Sequence, residues 1–377
     1  MRIKRYVLLA ALGMLAGYEV WRRSSRGLPD QPVAPRLADV SSFGSDAGQG
    51  NLLAVQPFMT PLDYATPERF QARLRAYLVE AQKRGWITSR TIVVFPEHLG
   101  TWLAALQEKR TVYQATSVAA ALRVVALCHL PSVAWRVPLA PAADRAAYAV
   151  FATKAEAMAD AYHQTFSNLA RTFGCTIVAG SIVLPMPEVE NGRLVVHPGP
   201  LQNVTAVYGP EGEPHPQLVR KIHLTPAEQP FAVGALPAEL PCFDTPAGRL
   251  GVLICADSWY PEPYEILRRH QVDLIAVPSY LEVDGIWERP WRGYAGMIAP
   301  DDVDPADVGR LTEGQAWLRY ALAGRIQGGG ARYGINVFLR GALWDLGSDG
   351  HTIAVDHGRA LEARHVDGAA LVNLWLA

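Results

Sequence analysis

Short, continuously apolar runs separated by amphipathic stretches set the rhythm of this chain, and one of those runs ends on a cysteine. Leu250 to Ile254 reads as a buried strand, and Cys255 stands where the chain leaves it. Earlier, Asn51-Leu-Leu-Ala-Val-Gln-Pro57 is a compact strand closed by a proline. Pro67 to Lys83 then carries Phe70, Leu74, Tyr77 and Leu78 on one helical face before Gly85 stops it. Thr91 to Phe95 is the next apolar run and leads into Pro96-Glu97-His98. Strand, helix and strand in that order predict α/β layering. Ser117 to Leu130 and Pro141 to Leu169 read as helices, and Cys175 to Leu184 and Gln202 to Tyr208 as strands. The turn chemistry of Gly209-Pro-Glu-Gly-Glu-Pro214 predicts a hairpin between the Asn203 strand and one over Gln217 to His223. Beyond the cysteine, a helix is expected from Glu313 to Gln327 and strands over Gly334 to Leu339 and His351 to Val355. Gly328-Gly-Gly330 lacks a phosphate-binding framework and reads as a flexible turn.

The N-terminus follows a different pattern. Arg2, Lys4 and Arg5 precede an apolar run from Tyr6 to Tyr18, and Trp21, Arg22 and Arg23 follow it. Residues 1–26 therefore read as a signal peptide or an uncleaved signal anchor, the run being shorter than the ~20 residues that span a bilayer comfortably. Membrane association through this segment is expected, or export if it is cleaved; basic residues on both sides leave the orientation open. Residues 27–49, rich in Pro, Ser, Gly and Asp, read as a linker, and the folded body occupies residues 50–377.

Composition narrows the function classes. With 377 residues and 50% hydrophobic content the chain can bury a large core. A formal charge of -1, with no long basic run in the body, argues against nucleic acid as a partner. The four cysteines, Cys128, Cys175, Cys242 and Cys255, are too few and too scattered for a disulfide framework. The histidines show no paired metal-ligand spacing, so neither metal nor cofactor is expected, and the absence of G-x-S-x-G disfavours a serine hydrolase.

Three polar groups stand at strand margins: Glu97, Lys221 in Arg220-Lys-Ile-His-Leu224, and Cys255. Each alone has a plain structural reading, a helix-start carboxylate for Glu97 and core filling for the cysteine. Together, Phe95-Pro-Glu97, Lys221-Ile-His-Leu224 and Gly251-Val-Leu-Ile-Cys-Ala-Asp257 with Tyr260-Pro-Glu262 resemble the three signature segments of the nitrilase superfamily of carbon-nitrogen hydrolases. Val178-Ala-Gly-Ser181, the Asn203 strand and Asp273-Leu-Ile-Ala-Val-Pro-Ser279 are similar too, so the resemblance runs from about residue 51 to the end.

The resemblance implies an α/β fold, a four-layer αββα sandwich that is usually dimeric or larger, with the cysteine at a strand-to-helix elbow. It implies Glu97 as base, Cys255 as nucleophile, and Lys221 with the Ala256 backbone N–H as oxyanion stabilisers; Glu228 matches a second glutamate of many members. Asp257, Trp259 and Tyr260 are the candidate substrate-pocket residues. Trp259 departs from the family, which often has arginine there, and Ala256-Asp257 is closer to amidase-like branches than to true nitrilases. The expected activity is hydrolysis of a linear amide through a cysteine thioester. The alternatives are N-acyl transfer to an amine by the same triad and a catalytically silent, membrane-tethered scaffold. Two segments exceed the family core, roughly 113–165 and 282–312, the second carrying Trp287, Trp291, Tyr294 and Met297. A lid over the pocket and an ordinary packed insertion are both open for them.

Overall fold

In the computed structural model, which describes residues 2–25, 34–35 and 37–377 apart from the side chains of residues 2–5, 7–12 and 23, the apolar runs become the strands of two stacked sheets. The strands are β1 (Leu37–Phe43), β2 (Asn51–Gln56), β3 (Phe58–Met59), β4 (Thr91–Val94), β5 (Thr176–Glu190), β6 (Arg193–Tyr208) and β7 (Val219–Arg220). After these come β8 (Cys242–Thr245), β9 (Gly248–Val252), β10 (Leu274–Ser279), β11 (Tyr333–Phe338), β12 (Arg340–Gly341), β13 (Ile353–Asp356), β14 (Arg359–Glu362) and β15 (Ala369–Trp375). One sheet has the order β1-β15-β2-β4-β5-β6-β7 and the other β14-β13-β11-β10-β9-β8, while β3 and β12 form a short separate pair. The helices are α1 (Arg2–Arg23), α2 (Pro67–Lys83), α3 (Arg110–Tyr113), α4 (Val118–Cys128), α5 (Leu130–Arg136), α6 (Arg145–Phe173), α7 (Pro261–Arg269), α8 (Glu313–Tyr320) and α9 (Leu322–Arg325).

Alternation along the strands assigns the layers. On β2 and β4, Leu53, Val55 and Val93 join Phe70, Leu74 and Tyr77 of α2 and Tyr162 and Phe166 of α6 in one cluster. Their neighbours Leu52, Ala54, Ile92 and Val94 point the other way, into a cluster with β9, β10 and β11. The same second cluster takes in Tyr264 and Leu267 of α7, Trp317 of α8 and Leu322 of α9, which cover the far face of the second sheet. The result is the expected αββα sandwich. Each fully buried leucine in it is worth about 1.5–3 kcal/mol of transfer free energy, so strands exposing none of their side chains on either face, such as β2 and β10, are held strongly in register.

The helix over Pro67–Lys83 has the predicted bounds: the Thr66 side chain accepts from the Arg69 N–H at 3.2 Å, and Pro67 occupies the first turn, where no N–H is needed. Two expectations change. The stretch read as a linker contains β1, which pairs in parallel with β15 from Leu37↔Ala369 to Phe43↔Leu374; its polar alternation is that of an edge strand, not of a spacer. Residues 27–33 and 36 of that stretch lie outside the described residues. The principal hairpin joins β6 to β5 through Asn191 (φ 50°) and Gly192 (φ 75°), and β7 adds only two residues to its far side. Of the two readings open for segment 282–312, packing prevails for its aromatic part: Trp287, Trp291 and Tyr294 are buried in the core cluster.

Candidate active site

Three chain segments converge where the inner sheet edges end, and each is locked by backbone geometry. The first is Phe95-Pro96-Glu97-His98 after β4. The β5–β6 ladder slips between Val178 and Ser181, and this irregularity clasps the β4 exit: the Ser181 N–H donates to the Pro96 carbonyl (3.2 Å), and the His98 N–H donates to Ser181 Oγ (2.8 Å). Gly180 makes the approach possible. Its φ is +71°, and a Cβ there would stand 2.3 Å from the Pro96 oxygen. The second segment follows β7, where the Lys221 N–H donates to the Asn203 carbonyl at 2.9 Å. The third is the turn after β9, where Cys255 adopts φ +49°, a left-handed conformation that a non-glycine residue holds only under constraint. Ser258 Oγ donates to the Cys255 carbonyl (2.7 Å), and Tyr264 Oη donates to the Ser258 carbonyl (2.9 Å), fixing the elbow from below.

Side chains from these segments meet in a buried ionic knot. Lys221 Nζ donates to Glu97 Oε1 and to Glu228 Oε2, both at 2.6 Å. Asn203 Nδ2 donates to Glu97 Oε1 (3.0 Å) and Glu228 Oε1 (2.8 Å), and the Thr225 N–H and hydroxyl donate to Glu228 Oε2. Glu97, Lys221 and Glu228 are all at most 3% exposed. Burial opposes the charge on Lys221, but Glu228 and Glu97 outweigh it and hold the ammonium well above its ordinary pKa. Burial likewise opposes ionisation of Glu228, and Lys221 outweighs it, holding that carboxyl well below its usual range.

Cys255, 6% exposed, lies near enough to Glu97 and Lys221 to feel the charge of both. Its thiol also donates to the Tyr280 carbonyl at 3.8 Å. Burial and the Glu97 carboxylate push the thiol well above its ordinary pKa, and Lys221 pulls the other way. The resting cysteine is therefore a protonated thiol under the influence of a buried carboxylate, so a base must take its proton before sulfur can attack.

His98 extends the knot. Its Nε2 lies 3.5 Å from Glu228 Oε1 and 3.9 Å from Glu97 Oε1, and its Nδ1 is 3.0 Å from Thr101 Oγ1. Burial lowers the imidazole pKa, but the two carboxylates outweigh it and leave it above its ordinary value. Glu97, His98 and Glu228 bring ligand atoms within 4.8 Å of one another, close enough for a metal ion. The Lys221 ammonium already sits between the two carboxylates, so a cation occupies that place. A second such group, Glu188, Glu190 and His197, is exposed on the β5–β6 hairpin.

The three residues read as pocket-lining divide. Tyr260 stacks on His223 with ring centroids 3.7 Å apart and lines a cleft of about 990 Å³ together with Met297, Ile298 and Asp302. Glu97, Lys221 and Cys255 are not among the cleft's lining residues. Asp257 and Trp259 are not there either. Asp257 is fully buried, and its carboxylate accepts from the backbone N–H groups of Ile222, His223 and Ile254. It ties the Lys221 segment to the cysteine elbow. Trp259 packs among Trp291, Tyr294 and Trp317, and its carbonyl accepts from Tyr294 Oη at 3.0 Å. It is an anchor for segment 282–312. Ala256 follows Cys255 inside the short helical turn Cys255–Trp259. Asn203 and His98 are site residues that sequence reasoning misses. Asn203 acts from a strand interior far away in the chain, and His98 reads in sequence as a motif neighbour with no partner at ligand spacing.

Comparison with known proteins gives the family and the fold. The carbon-nitrogen hydrolase family profile matches residues 65–299. The chain belongs to that family. An omega-amidase of Danio rerio, NIT2, is 31% identical over 144 residues, which cover 35% of this chain and 47% of that protein. A Schizosaccharomyces pombe protein named as a probable nitrilase is 29% identical over 129 residues, 34% of this chain and 40% of its own length. The chain thus spans less than half the length of the curated relatives it matches. The fold is that of an amidase from Nesterenkonia sp., which superposes with a TM-score of 0.53 at 16% identity over 87% of this chain and 90% of the other.

Proposed function

We propose that the protein is a thiol amidohydrolase that cleaves a linear, non-peptide amide. The observation that carries this reading is the buried knot of Glu97, Lys221 and Glu228, whose charges act on the Cys255 thiol at its left-handed turn. Glu97 takes the thiol proton as sulfur attacks the carbonyl carbon. The tetrahedral oxyanion is stabilised by Lys221 and the Ala256 N–H, contributions worth roughly 3–4 kcal/mol per donor in comparable sites. Glu97 returns the proton to the leaving amine, the C–N bond breaks, and a thioester remains on Cys255. Water, deprotonated by Glu97, then attacks the thioester and releases the acid and the thiol. Glu228, with Asn203 and His98, keeps the lysine and Glu97 in place, and Asp257 holds the two segments together.

The test is intact-protein mass spectrometry on a panel of linear amides. Wild type should gain the acyl mass transiently, and Cys255→Ala should gain none and lose turnover by at least about 10³-fold. Adding an amine acceptor separates hydrolysis from acyl transfer: release of free acid at an unchanged rate is expected, and an N-acylated amine as the main product would overturn the hydrolase reading. Acylation of Cys255→Ala would sink the nucleophile assignment.

A further inference from the structure

We propose that α4 and α5, together with α1, form a docking face for an anionic lipid bilayer, independent of the hydrolytic centre. Helices α4 and α5 meet at a bend of 102° and are apolar on both sides. The inner side, with Ala121, Val125, Cys128 and Val133, is buried against the body. The outer side has no cover among the described residues. Leu127 (49% exposed), Leu130 (49%), Trp135 (72%) and Leu139 (65%) recur there, with exposed Pro131 and Ala134 between them. They carry the apolar strip across the bend, from the last turn of α4 through α5 to the short turn Val137–Leu139. Two helices that were each half-buried by a partner would not leave four large apolar side chains in water.

Charge selects the occupant. From Lys109 to Ala143 the sequence contains no aspartate or glutamate; of its basic side chains Arg110 and Arg123 are exposed and Arg136 half-buried, while Lys109 is buried against α1. A basic, tryptophan-bearing, apolar surface is the composition that lies flat in the headgroup region of anionic lipid. A water-soluble protein partner would not require the acid-free stretch.

Continuity with α1 supports the same occupant. Tyr18 Oη sits in the α4–α5 bend, where it donates to the carbonyls of Leu127 (3.0 Å) and Cys128 (2.9 Å) and accepts from the Leu130 N–H (3.2 Å). Lys109 Nζ donates to the Trp21 and Ser24 carbonyls at the C-terminal end of α1 and stands 4.5 Å over the Trp21 ring. Helix α1, whose sequence carries Arg2, Lys4 and Arg5 at its start and ends on Arg22, paired with Glu19, and Arg23, is thus fastened beside the exposed strip, and its own Met14, Leu15 and Val20 are exposed as well. Among the described residues no single helix is long and apolar enough to cross a membrane. Surface docking, with α5 reaching into the interface beside α1, accounts for both exposed sets.

The experiment is vesicle flotation of the full chain, comparing wild type, Trp135→Ser/Leu139→Ser and Arg123→Glu on vesicles of phosphatidylglycerol with phosphatidylcholine and of phosphatidylcholine alone. Trp135 and Leu139 are solvent-exposed, and the thermal unfolding midpoint of each variant checks that the fold is kept. Wild type should float preferentially with the anionic vesicles, and the double variant should partition about tenfold less on either vesicle. Arg123→Glu should weaken binding only where the lipid is anionic. Equal partitioning of wild type and the double variant would leave α1 as the sole contact and overturn the proposal. So would wild type that binds neither vesicle, or wild-type self-association that the double variant abolishes while flotation stays the same. None of these readouts depends on amide turnover.

Discussion

Asp257 is the residue at which the chemistry of the site and the stability of the fold meet. Burial drives its pKa up to about 7, against the pull of the backbone N–H groups it accepts from and of Lys221. Its folded-state value thus lies above the ordinary carboxylate value of 3.8, so the native state holds this proton more tightly than the unfolded chain. The contribution to stability is complete below about pH 3.8 and is lost as pH rises through about 7. Asp257→Asn, which mimics the protonated form in shape but cannot titrate, should flatten that part of the pH profile. Denaturant unfolding of both proteins from pH 4 to 8 reads the difference. Identical slopes would mean that the backbone donors keep the carboxylate ionised throughout. Other groups that titrate in this range, such as Glu313, whose pKa is raised to about 7, cancel in the comparison.

At the scale of elements, the site depends on how closely β5 approaches the exit of β4. Gly180→Ala puts a side chain into a φ of +71° and a Cβ 2.3 Å from the Pro96 carbonyl, so the Glu97 tip must move. Strain of this kind costs about 1–3 kcal/mol. A displacement near 1 Å at a reacting group lowers turnover about 100-fold. Amide kinetics alongside thermal unfolding test this, and a variant that unfolds earlier but turns over normally would show that Glu97 is positioned from elsewhere. The elements that make the site were unevenly legible in the sequence. β2, α2 and β4 were readable because their signals are local: an apolar run with a proline stop, and a helical face with a capping threonine. Glu97, Lys221 and Cys255 were readable because each ends a segment with its own motif. Asn203 and His98 were not, since their roles exist only once a bulged hairpin carries one strand across another. β1 was hidden for a related reason: an edge strand with polar alternation resembles a spacer until β15, the last strand of the chain, pairs with it.

On the whole molecule, Trp259 joins the Cys255 elbow to the outermost layer. It belongs to the turn that begins at Cys255, yet its ring lies 4.9 Å from Trp317 of α8 and 5.8 Å from Trp291 and Tyr294 in segment 282–312. Trp291 in turn stacks on Tyr320, whose hydroxyl donates to Asp307 at 2.6 Å. Cleft residues such as Met297 and Asp302 are carried on that same segment, and Asp302 accepts from Arg325 of α9 at 2.6 and 3.0 Å. The cleft wall is therefore braced at both ends, by an aromatic cluster on one side and an ion pair on the other. Trp259→Ala removes the brace nearest Cys255 and leaves a cavity, at a cost of about 3–5 kcal/mol if the surroundings do not collapse. Because Arg325–Asp302 still holds the far end, the loss should appear locally. Limited proteolysis is expected to cut within 282–300 faster than in wild type while the sheets stay protected, and amide KM should rise more than kcat falls. Uniform cleavage across the chain would instead place Trp259 in the global core, with no separable role in holding the cleft wall.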